Sequence, residues 1–184
     1  MTDYQVHTLD SAPEKSHAVL EQANKAYGMI PNLMAVMAEA PALLKAYFTI
    51  GNIFAETSLS PAERQVVLLA ASFVNECTYC MAAYSTLAES QGLSRLAIDA
   101  IRAGKSIDDS KLEALRRFTE TVVETRGWPL ESEVQSFLTA GYTPANILEV
   151  ILGVGYKTLS TYTAHITHTP LDAPFAQQEW RKAG

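Results

Sequence analysis

Apolar residues recur at intervals of three and four along nearly the whole chain, and the residues that interrupt them are those that start and stop helices. The stretch "SAPE" (Ser11 to Glu14) reads as a capping box, in which the serine and glutamate side chains each satisfy a backbone N–H of the first turn. It opens a helix that ends at Gly28. A short helix is expected between Pro31 and Pro41, and a longer one from about Pro41 to Glu56. "SPAE" (Ser60 to Glu63) is a second capping box, with proline at the first helical position. The "RQVVLLAASFV" it opens is apolar almost all round, as a buried helix is. Asn75 is placed to cap the next helix, which stops at Gly92.

Ser94 and Gly104 bracket another helix. "DDSKLEALRRFTETVVETRG" is amphipathic, with acids at its start and Gly127 at its end. Helices near 131–140 and 144–167 follow, and the segment after Thr169 reads as irregular. No stretch alternates apolar and polar residues as a half-buried strand would. The expectation is an all-α fold, a single-domain bundle of about eight helices over residues 1–184. Laying Pro61 on Pro144 exposes a faint internal duplication, "LSPAERQVVLLAASFVNECTYCMA" against "YTPANILEVILGVGYKTLSTYTAHI". It divides the bundle into a half at about 41–104 and a second half at about 110–169.

Of the 184 residues, 48% are hydrophobic, enough for one domain with a substantial core. The net charge is −6 and no basic cluster occurs, so nucleic acid is not an expected partner. "MTDYQVHTLD" has neither the basic start nor the apolar run of a signal peptide, and the longest apolar run, "VVLLAASFV", is far short of a membrane span. We therefore expect a cytoplasmic protein with no membrane partner. In that reducing compartment a stapling disulfide is not expected, and a close cysteine pair serves catalysis or metal binding.

Both cysteines lie in "NECTYCMAAYS", residues 75–85. Cys77 and Cys80 are spaced to share one helix face. Near a helix N-terminus the free N–H groups and the dipole favour thiolate over thiol, and by position alone Cys77 is the more exposed. A disulfide within one turn constrains little of the chain, so it forms and breaks reversibly. Two other readings stand beside this one. The pair is then two small buried hydrophobes, or half of a four-ligand zinc site completed by His165 and His168 of "HITH". We expect no metal and no cofactor. His165 and His168 suit the C-terminal dipole of their helix, or provide a base if that helix folds back onto the cysteines. His7 and His17 are expected at the surface, and Trp128 and Trp180 are expected to pack.

"LSPAERQVVLLAASFVNECTYCMAAYSTLAESQGLS" resembles the core of the alkyl hydroperoxidase D and carboxymuconolactone decarboxylase superfamily: L-S-P, an apolar helix, N-x-C-x-x-C, then an alanine-rich helix and glycine. "MIPNLMAVMAEAPALLKAYFTI" and "KTLSTYTAHITHTPLD" are similar to the N- and C-terminal segments of its peroxidase-related branch. The likeness covers roughly residues 20–175. It implies an all-helical fold, a homo-oligomer (trimer or hexamer) and a thiol peroxidase or disulfide reductase.

The working pattern of that family is E-x11-C-x2-C-x3-H. Carried over by position, it assigns peroxide attack to Cys80 and resolution to Cys77. The glutamate position is Gln65 and the histidine position is Tyr84. Losing both partners leaves two neutral groups that still hydrogen-bond, whereas losing one would strand a charge. A phenol with a reference pKa near ~10 is a poor base at neutral pH, so weakened activity is expected. The reading is a thiol-dependent oxidoreductase acting on a small hydroperoxide or disulfide, with Cys80, Cys77, Tyr84 and Gln65 as the site and an external thiol as reductant. A non-catalytic oligomeric redox sensor and a carboxymuconolactone decarboxylase-like enzyme are the alternatives.

Overall fold

In the computed structural model, which describes residues 3–182, Ser60 and Glu63 close the expected capping box. The Ser60 hydroxyl accepts from Glu63 N at 3.2 Å, and the Glu63 carboxylate accepts from Ser60 N at 2.8 Å. The helix they open, Pro61–Val74, is α4 in an order that runs α1 (Glu14–Tyr27), α2 (Asn32–Met37), α3 (Pro41–Ala55), α4, α5 (Thr78–Ala88), α6 (Arg95–Arg102), α7 (Ser110–Glu124), α8 (Glu131–Thr139) and α9 (Pro144–Thr167). Two short 3-10 helices, Glu89–Gln91 and Ala173–Gln178, complete it, and no strand occurs among the described residues. The fold is all-α, as expected. No single described helix is long and apolar enough to cross a membrane.

α4 is the central element because its sequence offers no polar face. Val66, Val67, Leu68, Leu69, Ala70 and Ala71 are all buried, and it packs against α5, α6, α7 and α9. α9 starts with a capping box of its own, Thr143 with Asn146, and then runs unbroken for 24 residues across α2, α3, α4, α5 and α7. Gly153 lets it approach closely: a Cβ there would stand 2.7 Å from Val67 and 2.9 Å from Phe54.

Five expectations need correction. "SAPE" forms no capping box: Pro13 holds the N-cap position of α1, and the Ser11 hydroxyl turns back to accept from Thr8 N at 2.9 Å. His7 is buried, with Nε2 2.7 Å from the Glu39 carboxylate. Trp128 is 85% exposed, left outside by the turn after α7. Asn75 caps the end of α4 and not the start of α5, its Nδ2 donating to Ala71 O at 2.7 Å. Finally, the segment after Thr169 is ordered. Trp180 is buried, donates from Nε1 to Arg102 O at 2.8 Å, and packs on Phe73. That segment straps α5 to the rest of the bundle and so helps to enclose the site.

Candidate active site

The cysteines are presented by the break between α4 and α5. Glu76 takes the left-handed conformation (φ 53), which turns the chain out of α4 while Cys77 N donates to Ser72 O at 3.0 Å. Only a small fraction of non-glycine residues sit there, and the exposed Glu76 side chain pairs with Lys182 at 3.2 Å. Cys77 thereby becomes the N-cap of α5, its sulfur accepting from Cys80 N at 3.3 Å. Cys77 and Cys80 are joined as a disulfide, with Cα atoms 5.3 Å apart. The helix N-terminus faces the sulfurs, as the sequence implied.

Exposure differs from expectation: Cys77 is 0% and Cys80 1% exposed, because the strap and α9 cover the start of α5. The two sulfurs instead face different spaces. Cys80 lines a cavity of about 590 Å³ between α2, α3, α5, α9 and the strap. Cys77 lines a separate groove of about 460 Å³ with His165, His168 and Thr169. The end of α9 therefore does fold back onto the cysteine turn, although both histidine side chains are exposed. Among the described residues, no three His, Cys, Asp or Glu side chains converge as a metal-ligand set.

The Cys80 cavity is walled by tyrosine, methionine and aliphatic side chains, and among the described residues neither a carboxylate nor an imidazole lines it. Tyr47 stacks on Tyr156 with ring centroids 4.7 Å apart, and Tyr84 donates to the Tyr156 hydroxyl at 3.3 Å. Gly51 leaves room for this cluster, since a Cβ there would be 3.1 Å from the Tyr156 hydroxyl. Burial raises all three phenols, Tyr47 to about 12 and Tyr84 and Tyr156 well above their ordinary value. All are neutral hydrogen-bonding groups at physiological pH and not bases. Tyr79 closes the cavity near the strap. It donates to the buried Asp172 at 2.6 Å and accepts from Leu33 N at 3.3 Å, while Asn32 N donates to the same carboxylate at 2.9 Å.

Of the residues expected at the site, Cys80 and Tyr84 share the cavity and Cys77 is bonded to Cys80. Gln65 does not line that space: it lies half-buried on α4 with Oε1 buried and unpartnered. The sequence reading missed Lys157. It is 0% exposed, donates from Nζ to Ser160 Oγ at 3.0 Å, and sits 4.3 Å from the centroid of the Tyr84 ring. Burial pushes its amine well below the ordinary lysine range. Ser160 Oγ is in turn 4.0 Å from Cys80 Sγ, and Thr161 Oγ1 is 3.8 Å from it. The available signal was a lone charge in the apolar run "VILGVGYKTLSTYTA".

Residues 41–120 match the Carboxymuconolactone decarboxylase family. Three solved structures share the fold over nearly their whole length. A peroxidase-related protein from Ralstonia eutropha JMP134, described as an alkylhydroperoxidase AhpD core, superposes with TM-score 0.82 at 19% identity, covering 94% of this chain and 93% of its own. A peroxidase-related protein from Silicibacter sp. TM1040 gives TM-score 0.80 at 18% identity, covering 96% and 94%. The debrominase Bmp8, as a variant in complex with 2,3,4-tribromopyrrole, gives TM-score 0.79 at 13% identity, covering 97% and 95%. At such identities the likeness speaks to the fold. No curated protein matches the chain in sequence. The family match is confined to residues 41–120, and the three structures show that the fold is shared.

Proposed function

We propose that this protein is a cofactor-free thiol oxidoreductase that reduces small, uncharged hydroperoxides, with Cys80 as attacking sulfur and Cys77 as resolving partner. The observation that carries this reading is the position of Cys80 in the wall of an apolar cavity while Cys77 is bonded to it from the preceding turn. The Cys80 thiolate attacks one peroxide oxygen, the O–O bond breaks, and the departing alkoxide takes a proton and leaves as alcohol. The sulfenic acid on Cys80 then condenses with the Cys77 thiol, releasing water and forming the disulfide. An external dithiol, which a reducing cytoplasm supplies, restores both thiols. The phenols of Tyr84 and Tyr156 are the polar groups with which the cavity would hold a peroxide oxygen. The neutral lining favours an uncharged organic substrate over a charged one.

A second reading is reductive removal of halogen from a small aromatic ring, favoured by the stacked Tyr47 and Tyr156 in the cavity wall and in keeping with the debrominase of the same fold. There the thiolate would attack the halogen, the ring carbon would take a proton, and Cys77 would displace halide from sulfur. Turnover assays separate the two. With excess dithiothreitol, the first reading expects cumene hydroperoxide to be consumed and this to stop in Cys80→Ser. Release of bromide from a bromopyrrole, without peroxide turnover, would favour the second. Neither activity would leave a redox sensor.

We also propose a homo-oligomer, a trimer or hexamer. Leu148, Ile151, Tyr162 and Ile166 form one stripe along α9 and are 67%, 50%, 58% and 65% exposed. Their spacing puts them on a single face, which a second copy of the chain would cover.

A further inference from the structure

The described residues that line the Cys80 cavity include no carboxylate or imidazole to serve as its base. A buried amine, that of Lys157, lies one hydroxyl away from the sulfur. We propose that Lys157 is the proton acceptor for the Cys80 thiol, acting through the Ser160 hydroxyl, and so takes the place of the glutamate–histidine relay that Gln65 and Tyr84 lack.

Three observations carry this. Lys157 Nζ is 3.0 Å from Ser160 Oγ, and Ser160 Oγ is 4.0 Å from Cys80 Sγ, so a continuous path joins amine and sulfur. Lys157 is 0% exposed, and among the described residues its amine hydrogen-bonds to Ser160 and to no carboxylate. A lysine buried in that way is expensive to charge and is therefore held neutral, with a free lone pair. Its charged form would be compensated by one group in reach, a thiolate on Cys80, together with the face of the Tyr84 ring 4.3 Å away.

The proton movement balances. In the reduced protein the Cys80 thiol donates to Ser160 Oγ while the Ser160 hydroxyl donates to Lys157 Nζ. Transfer along both bonds leaves thiolate, hydroxyl and ammonium. In the disulfide state no thiol proton exists, so Lys157 donates to Ser160, and Ser160 donates to the Lys157 carbonyl at 3.0 Å. During peroxide reduction the ammonium is the proton source for the alkoxide, which returns the amine to neutrality.

Other titratable groups near Lys157 leave the assignment unchanged. α3 brings Tyr47 and α5 brings Tyr84 and Cys77; on α9 itself Tyr156 is adjacent. The phenols are all raised by burial. α2 carries no titratable side chain. On α4, Glu63 is tied to Lys111 and Ser60, and Arg64 to the Leu59 carbonyl. On α7, Arg116 is tied to Glu113 and Glu120.

This inference rests on Cys80 being the attacking sulfur, but its test needs no peroxide. In a Cys77→Ser background Cys80 is the sole thiol, and the pH dependence of its alkylation by iodoacetamide reports its thiolate. The parent should show a midpoint below the ordinary cysteine value of ~8.5. Lys157→Met and Ser160→Ala should each raise it by about one unit or more, roughly a tenfold loss of thiolate at neutral pH, and Ser160→Thr, which keeps the hydroxyl, should not. A folded Lys157→Met, judged by circular dichroism, with an unmoved midpoint overturns the proposal. A shift in Lys157→Met but none in Ser160→Ala overturns the route through Ser160. If Lys157→Met does not fold, Ser160→Ala decides in the same two directions. The expected shifts in a protein that turns over no hydroperoxide would remove the proposed function and leave the role of Lys157 standing.

Discussion

Lys157 Nζ lies 4.3 Å from the centroid of the Tyr84 ring, and no carboxylate accompanies it into the core. Burial holds its amine well below the ordinary lysine range, which ties stability to pH. Below the unfolded lysine value of ~10.4 the unfolded chain takes up a proton that the folded chain refuses, so stability is full above that value. It declines as pH falls towards the folded value, by up to about 1.4 kcal/mol per pH unit. The buried tyrosines act oppositely, but only once unfolded phenols ionise near ~10. Urea unfolding of the oxidised protein between pH 7 and 9 should therefore show stability rising with pH. Lys157→Met should flatten the rise and be the more stable protein at pH 7. An equal slope in both proteins would mean that Lys157 is charged in the fold.

Tyr84→Phe removes one hydrogen bond, to Tyr156 at 3.3 Å, and keeps the ring that faces Lys157. The expected cost is about 0.5–1.5 kcal/mol of stability. Because burial keeps the phenol protonated, the rate of disulfide formation at neutral pH should fall less than in Lys157→Met. Stopped-flow mixing with hydroperoxide measures both. A larger loss in Tyr84→Phe would make the phenol the more important proton donor.

Gly153→Ala tests the packing that brings α9, with Lys157 and Ser160, against the core. The new Cβ would meet Val67 at 2.7 Å and Phe54 at 2.9 Å. Overpacking of this kind typically costs about 1–3 kcal/mol, read as a lower urea midpoint with an unchanged slope.

Ile166→Glu, at a position 65% exposed in the single chain, should lower the oligomeric mass measured by light scattering while leaving helical content unchanged. A wild-type protein that scatters as a chain of 20.1 kDa at micromolar concentration would remove the oligomer proposal.

Much of the fold was legible because its punctuation is local. The Ser60–Glu63 box, the Ser94 cap and the left-handed Gly28 and Gly92 each depend on a few neighbouring residues. Ser11 and Asn75 misled because their side chains had a second local partner, Thr8 N for one and Ala71 O for the other. The strap was not legible because its order comes from distant contacts, Asp172 with Tyr79 and Trp180 with Arg102. The cysteine turn announced itself by spacing, whereas Lys157 did not. Which face of α9 meets Cys80 is fixed by tertiary packing, and only that packing turns a lysine in an apolar run into a buried amine bonded to Ser160.

Peroxide-driven pairing of Cys80 with Cys77 is read out by intact mass. The reduced protein and its single-cysteine variants would be exposed to one equivalent of cumene hydroperoxide. Wild type should lose the mass of two hydrogen atoms and both free thiols. Cys77→Ser should stop at a Cys80 sulfenic acid that dimedone traps, and Cys80→Ser should stay unmodified. Two untouched thiols in wild type, or a sulfenic acid trapped on Cys77 and not on Cys80, would contradict the account.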